Sequence, residues 1–220
     1  MLYHNSLSTA ADIADFRMEG DGAVSFPQGR LRLESRRPPE DGQDANIVLW
    51  CPPDLGPDFT ATWDFWPVRE PGLAILFFHA RGRNGEDIFE LAPRTGPYEQ
   101  YHHGDLNAYH VSYFRRMWPS ERRLHTCNLR KSYGFHLVAQ GPDPLPAALD
   151  AQGPYRMRLT VHGGVISFEV AGLLTFSWTD PEPLPGGRIG FRQMAPMIGE
   201  YANLAIEAPD LPAGKGFPER

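Results

Sequence analysis

Residues 59–66 read Phe-Thr-Ala-Thr-Trp-Asp-Phe-Trp. Phe59, Ala61, Trp63 and Phe65 fall on one side of a period of two, and Thr60, Thr62, Asp64 and Trp66 on the other. A helix would scatter these side chains around its circumference. A strand sends successive side chains to opposite faces, so the spacing predicts a sheet with one face in a core. The same reading extends along the chain. Tyr155–Val161 and Val165–Val170 flank His162-Gly163-Gly164 and predict a hairpin, continued by a strand over 173–178. Ala23–Phe26 and Arg30–Ser35 predict a second hairpin around Pro27-Gln28-Gly29, after a short helical turn near Ser8 or Thr9. Ile47–Trp50, Gly187–Arg192 and Tyr201–Ile206 supply further strands, the last followed by a Pro/Gly-rich tail. Gly72–Arg81 is apolar on both faces until His79 and Arg81, which predicts a central strand whose end emerges at a rim. Asn84-Gly85 predicts a turn that returns the chain as a partner strand over Glu86–Leu91.

Frequent turns account for the 22 glycines and 22 prolines among 220 residues. About eleven strands, no long helix and turn signals at roughly 8–12-residue spacing predict an all-β fold, an antiparallel two-sheet β-sandwich. No compositional break or repeat divides residues 1–220, so one domain is expected. A formal net charge of −6 argues against nucleic acid as a partner, because that interaction needs a basic face. No stretch approaches the ~18 apolar residues of a membrane span, and the N-terminus lacks a basic segment before an apolar run. The expectation is a cytoplasmic protein with no membrane partner. Cys51 and Cys127 are expected as buried thiols rather than a disulfide framework.

Two stretches carry more polar chemistry than a core strand needs. Tyr101–Arg116, YHHGDLNAYHVSYFRR, holds three histidines, three tyrosines, an aspartate, an asparagine and a terminal arginine pair. Asn128–His136, NLRKSYGFH, follows after one loop, so the two are expected on neighbouring strands facing one cleft. Tyr155–Trp178, followed by Gly187-Arg188-Ile189-Gly190-Phe191-Arg192, resembles the closing half of concanavalin-A-like lectin/glucanase jelly rolls. Gly104–Arg116 and Asn128–Ala139 resemble the YesU-type family of bacterial proteins, and that resemblance covers nearly the whole chain. It implies a galectin-like jelly roll and a part in the use of plant-polysaccharide, pectin-like sugars.

On residue chemistry, the expected ligand is an oligosaccharide or polysaccharide fragment that contains uronic acid, cleaved by a lyase- or hydrolase-type reaction on a concave face. The alternative is a non-catalytic carbohydrate-binding module. Elimination at a uronate requires a group that neutralises the carboxylate, a base and an acid. His110 and Tyr113 are the candidate base and acid. Arg115, Arg116, Arg130, Lys131, Asn107 and Asn128 are candidates for the carboxylate, arginine being suited to bidentate contacts. Trp66, Tyr109, His79 and Arg81 would stack on a sugar ring and bind its hydroxyls.

Strand parity divides these residues. Tyr109, Val111, Tyr113 and Arg115 share one face and His110, Ser112, Phe114 and Arg116 the other, so both sets reach one cleft only through a bulge. A glucanase-type carboxylate pair would be Glu86 and Glu90, but Ile88 stands where that motif carries an aspartate. No cofactor is expected. His102, His103, Asp105 and His110 lack a zinc spacing, and calcium on Asp41, Asp44 and Asp58 is the lesser alternative. The sugar and the oligomeric state are not specified by the sequence.

Overall fold

The period of two over 59–66 is realised in a strand of eleven residues, β6 (Phe59–Arg69). The computed structural model describes residues 1–209, and the Pro/Gly-rich tail, 210–220, lies outside them. The described residues form fifteen strands. Before β6 come β1 (Tyr3–Asn5), β2 (Arg17–Glu19), β3 (Gly22–Ser25), β4 (Leu31–Ser35) and β5 (Ile47–Leu55). After it come β7 (Leu73–Gly82), β8 (Leu106–Tyr113), β9 (Thr126–Ser132), β10 (His136–Pro142) and β11 (Tyr155–His162). The last four are β12 (Val165–Val170), β13 (Leu173–Thr179), β14 (Gly187–Met194) and β15 (Ile198–Glu207). Two short helices, α1 (Glu99–His102) and α2 (Pro119–Leu124), flank β8. The helical turn expected near Ser8 or Thr9 forms at Ala11–Ile13.

These strands build two antiparallel sheets. Sheet I runs β13-β12-β11-β6-β15-β4-β3 with β1 on β15, and sheet II runs β10-β9-β8-β7-β14-β5-β2. Phe59, Ala61, Trp63 and Phe65 of β6 are fully buried between the sheets, against Leu76, Phe78, Tyr113 and Phe191 of sheet II. Each such large side chain contributes roughly 1.5–3 kcal/mol by leaving water, which makes this layer the main source of stability. Cys51 and Cys127 are free and buried in the same layer.

Glu86–Leu91 is not a strand. The Asn84-Gly85 turn forms, with Gly85 at φ 93 and the Gly82 N–H donating to Glu86 O at 2.9 Å, but the chain does not return along β7. The neighbours of β7 are β8 and β14. Residues 83–105 instead cross the outer face of sheet II, where Ile88 and Tyr101 join Val48, Trp50, Ile75, Phe77 and Leu106 of the strands in one buried apolar cluster. This second apolar layer explains why β7 is apolar on both faces. Glu86 is spent on the turn itself, accepting from Asn84 N at 3.0 Å and Asn84 Nδ2 at 2.9 Å, so Glu86 and Glu90 do not share a strand face.

Polar ties reaching far along the chain hold the covering segment. Glu19 on β2 accepts from Arg94 N at 3.1 Å, Arg94 Nη2 at 3.0 Å and Trp50 Nε1 at 2.8 Å, all buried. Arg188 on β14 donates through Nε to Asp87 at 2.7 Å, and Arg192 Nη1 donates to Gly96 O at 2.8 Å.

Candidate functional site

Antiparallel registration places the outward side chains of sheet II in rows. One row runs Val48, Arg192, Ile75, Ser112, Asn128 and Gln140 across β5, β14, β7, β8, β9 and β10. The next runs Trp50, Gly190, Phe77, His110, Arg130 and Leu137 across the same strands. Val48, Trp50, Ile75 and Phe77 make the β5 and β7 positions of these rows apolar, and Ser112, His110, Asn128 and Arg130 make the β8 and β9 positions polar. The covering segment sits on the apolar end, and a recess of about 280 Å³ opens where it stops. Tyr98, Phe135 and α2 wall that recess, and Ser112, Arg115, Asn128 and Arg130 face into it.

Arg115 reaches the recess through one backbone torsion. Phe114, just past β8, has φ 46, a left-handed conformation that interrupts strand parity. The Phe114 side chain stays in the core against Phe65, while Arg115 turns to the recess and Arg116 enters the protein interior, donating to Asp143 at 2.9 Å and Leu145 O at 2.7 Å. Arg115 Nη2 donates to Glu121 at 2.6 Å and its Nη1 to Thr126 Oγ1 at 2.7 Å. Glu121 also accepts the N–H groups of Met117 and Trp118 at the start of α2, so this carboxylate is fully occupied. Trp118 stands at the rim with 49% of its surface exposed.

Arg130 differs from Arg115. Its Nη1 donates to Phe135 O at 3.0 Å and its guanidinium lies 3.9 Å from the centre of the Phe135 ring, but among the described residues it has no carboxylate partner. The lining therefore holds two guanidinium groups and one carboxylate. Partial burial lowers the Arg130 pKa, and the group remains a cation at neutral pH.

The wall of the recess contains a hydrogen-bonded chain. Tyr98 Oη lies 2.6 Å from His110 Nδ1, and His110 Nε2 lies 2.9 Å from Ser132 Oγ. Burial, with Arg130 beside it, pushes His110 well below its ordinary value, so it is neutral. One ring nitrogen then donates and the other accepts, giving the chain a direction, either from Tyr98 toward Ser132 or the reverse. Burial raises Tyr98 to about 12, with Arg192 and Arg130 pulling the other way. Arg192 lies 4.7 Å from the Tyr98 ring centre and 4.9 Å from that of Tyr101, with its Nε and Nη2 buried and unpartnered.

Of the residues singled out from sequence, Arg115, Asn128 and Arg130 line one recess, with His110 in its wall behind Tyr98. Tyr113 does not join them. It points into the core against Trp63 and Phe65, and burial holds its hydroxyl well above the ordinary value, so His110 and Tyr113 cannot act as a pair. Tyr109 and Lys131 also point to the other side, where both bond Asp180, and His79 packs 5.7 Å from the Tyr109 ring. Arg81 is held by Asp54 at 2.7 Å, and Asn107 accepts from Tyr133 N at 3.3 Å. Trp66 lies on sheet I beneath Arg30, 4.2 Å from its ring centre. Parity fixed this separation, and the Phe114 turn corrects it for Arg115 alone.

Tyr98 and Trp118 are the site residues that strand patterning missed, since both lie between strands, whereas Phe135 falls within the stretch Asn128–His136. The unusual apolarity of both faces of β7 was the signal that something must cover sheet II. Asp41 pairs with Arg37 at 3.6 Å, whereas Asp58 accepts from Gly163 N at 2.9 Å. Among the described residues no three His, Cys, Asp or Glu side chains converge as a metal site.

Two stacked antiparallel sheets with a walled recess on one outer face define a galectin-like β-sandwich. The chain belongs to the family described as domain of unknown function DUF1961, which it matches over residues 1–206. It is 47% identical over 212 residues to the protein named "Uncharacterized protein YesU" of Bacillus subtilis (strain 168), covering 93% of this chain and 94% of that one. A crystal structure of a protein of unknown function with galectin-like fold from Bacillus subtilis superposes with a TM-score of 0.89 at 47% identity, covering 94% and 95% of the two chains. The carbohydrate binding module CBM66 from Bacillus subtilis shares the fold alone, with a TM-score of 0.56 at 12% identity and coverage of 88% and 95%.

Proposed function

We propose that this protein binds an oligosaccharide carrying a uronate carboxylate in the recess on sheet II. The observation that carries the reading is Arg130, a half-buried guanidinium in a walled recess with no acidic partner among the described residues. A cation kept there without a counter-charge is complementary to an anion that arrives with the ligand. Asn128 and Ser112 lie one row away for hydroxyl groups, and exposed Trp118 at the rim offers a ring for the apolar face of a sugar. A volume of about 280 Å³ suits a short saccharide. The sugar-binding role named for CBM66 on the same fold supports the carbohydrate class.

A second reading, cleavage by β-elimination, rests on the Tyr98–His110–Ser132 chain. In it Tyr98 replaces Tyr113 as the group that touches substrate, with His110 acting through it. His110 has too little proton affinity, and Tyr98 holds its own proton too tightly, for either to be a strong base at neutral pH, which favours binding over proton abstraction. Two-carboxylate hydrolysis has less support, because Glu121 is the one carboxylate of the lining and is tied to Arg115.

One experiment separates these readings. The protein is titrated with uronic-acid oligosaccharides and their neutral counterparts by calorimetry, and each mixture is followed for the ultraviolet absorbance of an unsaturated uronate and for mass. Binding of the acidic set alone, lost in Arg130→Ala, is the expected result. Absorbance that grows with time and vanishes in Tyr98→Phe would move the assignment to a lyase. Equal affinity for neutral and acidic chains would sink the uronate reading.

A further inference from the structure

A second cavity, of about 260 Å³, lies at the end of the sandwich beside β7, on the opposite side of sheet II from the recess. His79, Tyr109, Asp58, Gly163, Pro57 and Pro183 line it. His79 is buried, and neither of its ring nitrogens has a hydrogen-bond partner. Such an imidazole forfeits its hydration without recovering a bond, a costly arrangement that native interiors rarely leave uncompensated. The backbone there is unusual too. His79 has φ 50 and sits in the register break between Phe78 and Arg81, so the strand is bent where this side chain is placed.

The surrounding chemistry restricts what could supply the missing partner. Burial pushes His79 down to about 4, so at neutral pH the ring offers one donor and one acceptor and no charge. Asp58, from the turn between β5 and β6, accepts Gly163 N at 2.9 Å through Oδ1 and lies 3.4 Å from His162 through Oδ2. Its half-exposed carboxylate repels anions and accepts hydroxyl protons. Arg81 nearby is engaged by Asp54, and Lys131 by Asp180. Pro57 and Pro183 give the cavity apolar sides suited to the C–H face of a ring.

We infer that this cavity is a second binding site, for a neutral pyranose, with His79 and Asp58 receiving adjacent hydroxyl groups and the prolines flanking the ring. It does not depend on the acidic ligand of the sheet II recess. A protein with both sites would engage a saccharide of mixed composition at two places, the uronate at Arg130 and a neutral sugar at His79.

The test is a titration of ¹⁵N-labelled protein with methyl β-D-xylopyranoside, methyl α-D-galactopyranoside and methyl α-D-mannopyranoside, each to millimolar concentration, observed at the His79 ring nitrogens. At least one glycoside should shift them saturably, and Asp58→Asn should weaken that binding by roughly fivefold or more, the effect of one hydrogen bond. Arg130→Ala should leave it unchanged. His79→Phe, followed by saturation transfer from protein to glycoside, should abolish it. No saturable shift with any of the three, an affinity indifferent to Asp58→Asn, or a response lost in Arg130→Ala would each overturn the inference.

Discussion

On the outer face of sheet I, Arg156 meets Asp64 at 3.1 Å, and Glu200 takes Arg30 at 3.1 Å and Arg32 at 2.5 Å. On the outer face of sheet II, Arg115 is matched by Glu121, but Arg130 and the buried Arg192 have no carboxylate partner among the described residues. Both faces carry arginines on their strands, and that of sheet II also bears the second apolar layer. On the first, Arg156 is about half exposed and its pair contributes little, whereas Glu200 is buried but fully matched by two arginines. The second lies partly under a covering segment, where each uncompensated charge matters far more. Counting arginines would rank the faces as similar. Asking what neutralises each arginine separates a matched scaffold from the proposed binding surface.

The largest effect expected from this contrast lies in the buried tie beneath the covering segment. Glu19→Ala leaves Arg94 with Asp105 as its one carboxylate partner among the described residues, at 2.8 Å, and removes the acceptor of Trp50 Nε1, which should lower unfolding free energy by about 3 kcal/mol in urea titration. A loss below about 1 kcal/mol would place this pair with the surface pairs of sheet I. Next comes the pH dependence of the buried histidines. His79, at about 4 when folded against 6.5 in the unfolded chain, binds its proton more readily when unfolded. His79 therefore contributes fully above about 6.5, and stability is lost as pH falls from there toward 4, by roughly 3 kcal/mol. His110 acts in the same direction. His79→Phe should flatten the curve of unfolding free energy against pH in that window, and a curve as steep as the parent's would contradict the neutral, buried assignment.

Arg130→Ala comes third. It should cost about 1.5–3 kcal/mol of affinity for an acidic oligosaccharide, roughly a 10- to 100-fold rise in Kd, with little change in stability. A large stability loss would mean that Arg130 serves the fold rather than a ligand. Smallest of all is Asp64→Ala on sheet I, where Arg156 stays about half exposed; under about 1 kcal/mol is expected. An effect comparable with Glu19→Ala would erase the contrast between the two faces.

Where side chains alternate between core and water, the fold was legible from sequence, as in β6 and in the β11–β12 hairpin. Glu86–Leu91 misled because Ile88 does not face the core of the sandwich; it packs on the second apolar layer, which a period-of-two reading does not anticipate. The candidate site was legible only on β8 and β9. His110, Asn128 and Arg130 share the outer face because their registered positions demand it. Tyr113 was misassigned through proximity in sequence to His110, although odd and even positions of a strand never meet. Tyr98 gave no local sign, since its role follows from the chain crossing sheet II between Pro93 and Leu106. The torsion at Phe114 gave none either, since phenylalanine has no preference for a left-handed conformation.

The tie between Glu19 and Arg94 joins residues 75 positions apart, and Arg192 reaches Gly96 across 96. The cover of sheet II thus takes its anchors from an edge strand near the beginning of the chain and from β14 near its end. A molecule in which β1–β5 and β11–β15 have come away could pair β7, β8 and β9 yet lack the Glu19 and Arg192 anchors of the segment that seats Tyr98 over His110. A saccharide that bound the closed recess as proposed would therefore stabilise the whole sandwich and act as a chaperone for its own receptor, drawing both ends of the chain into place.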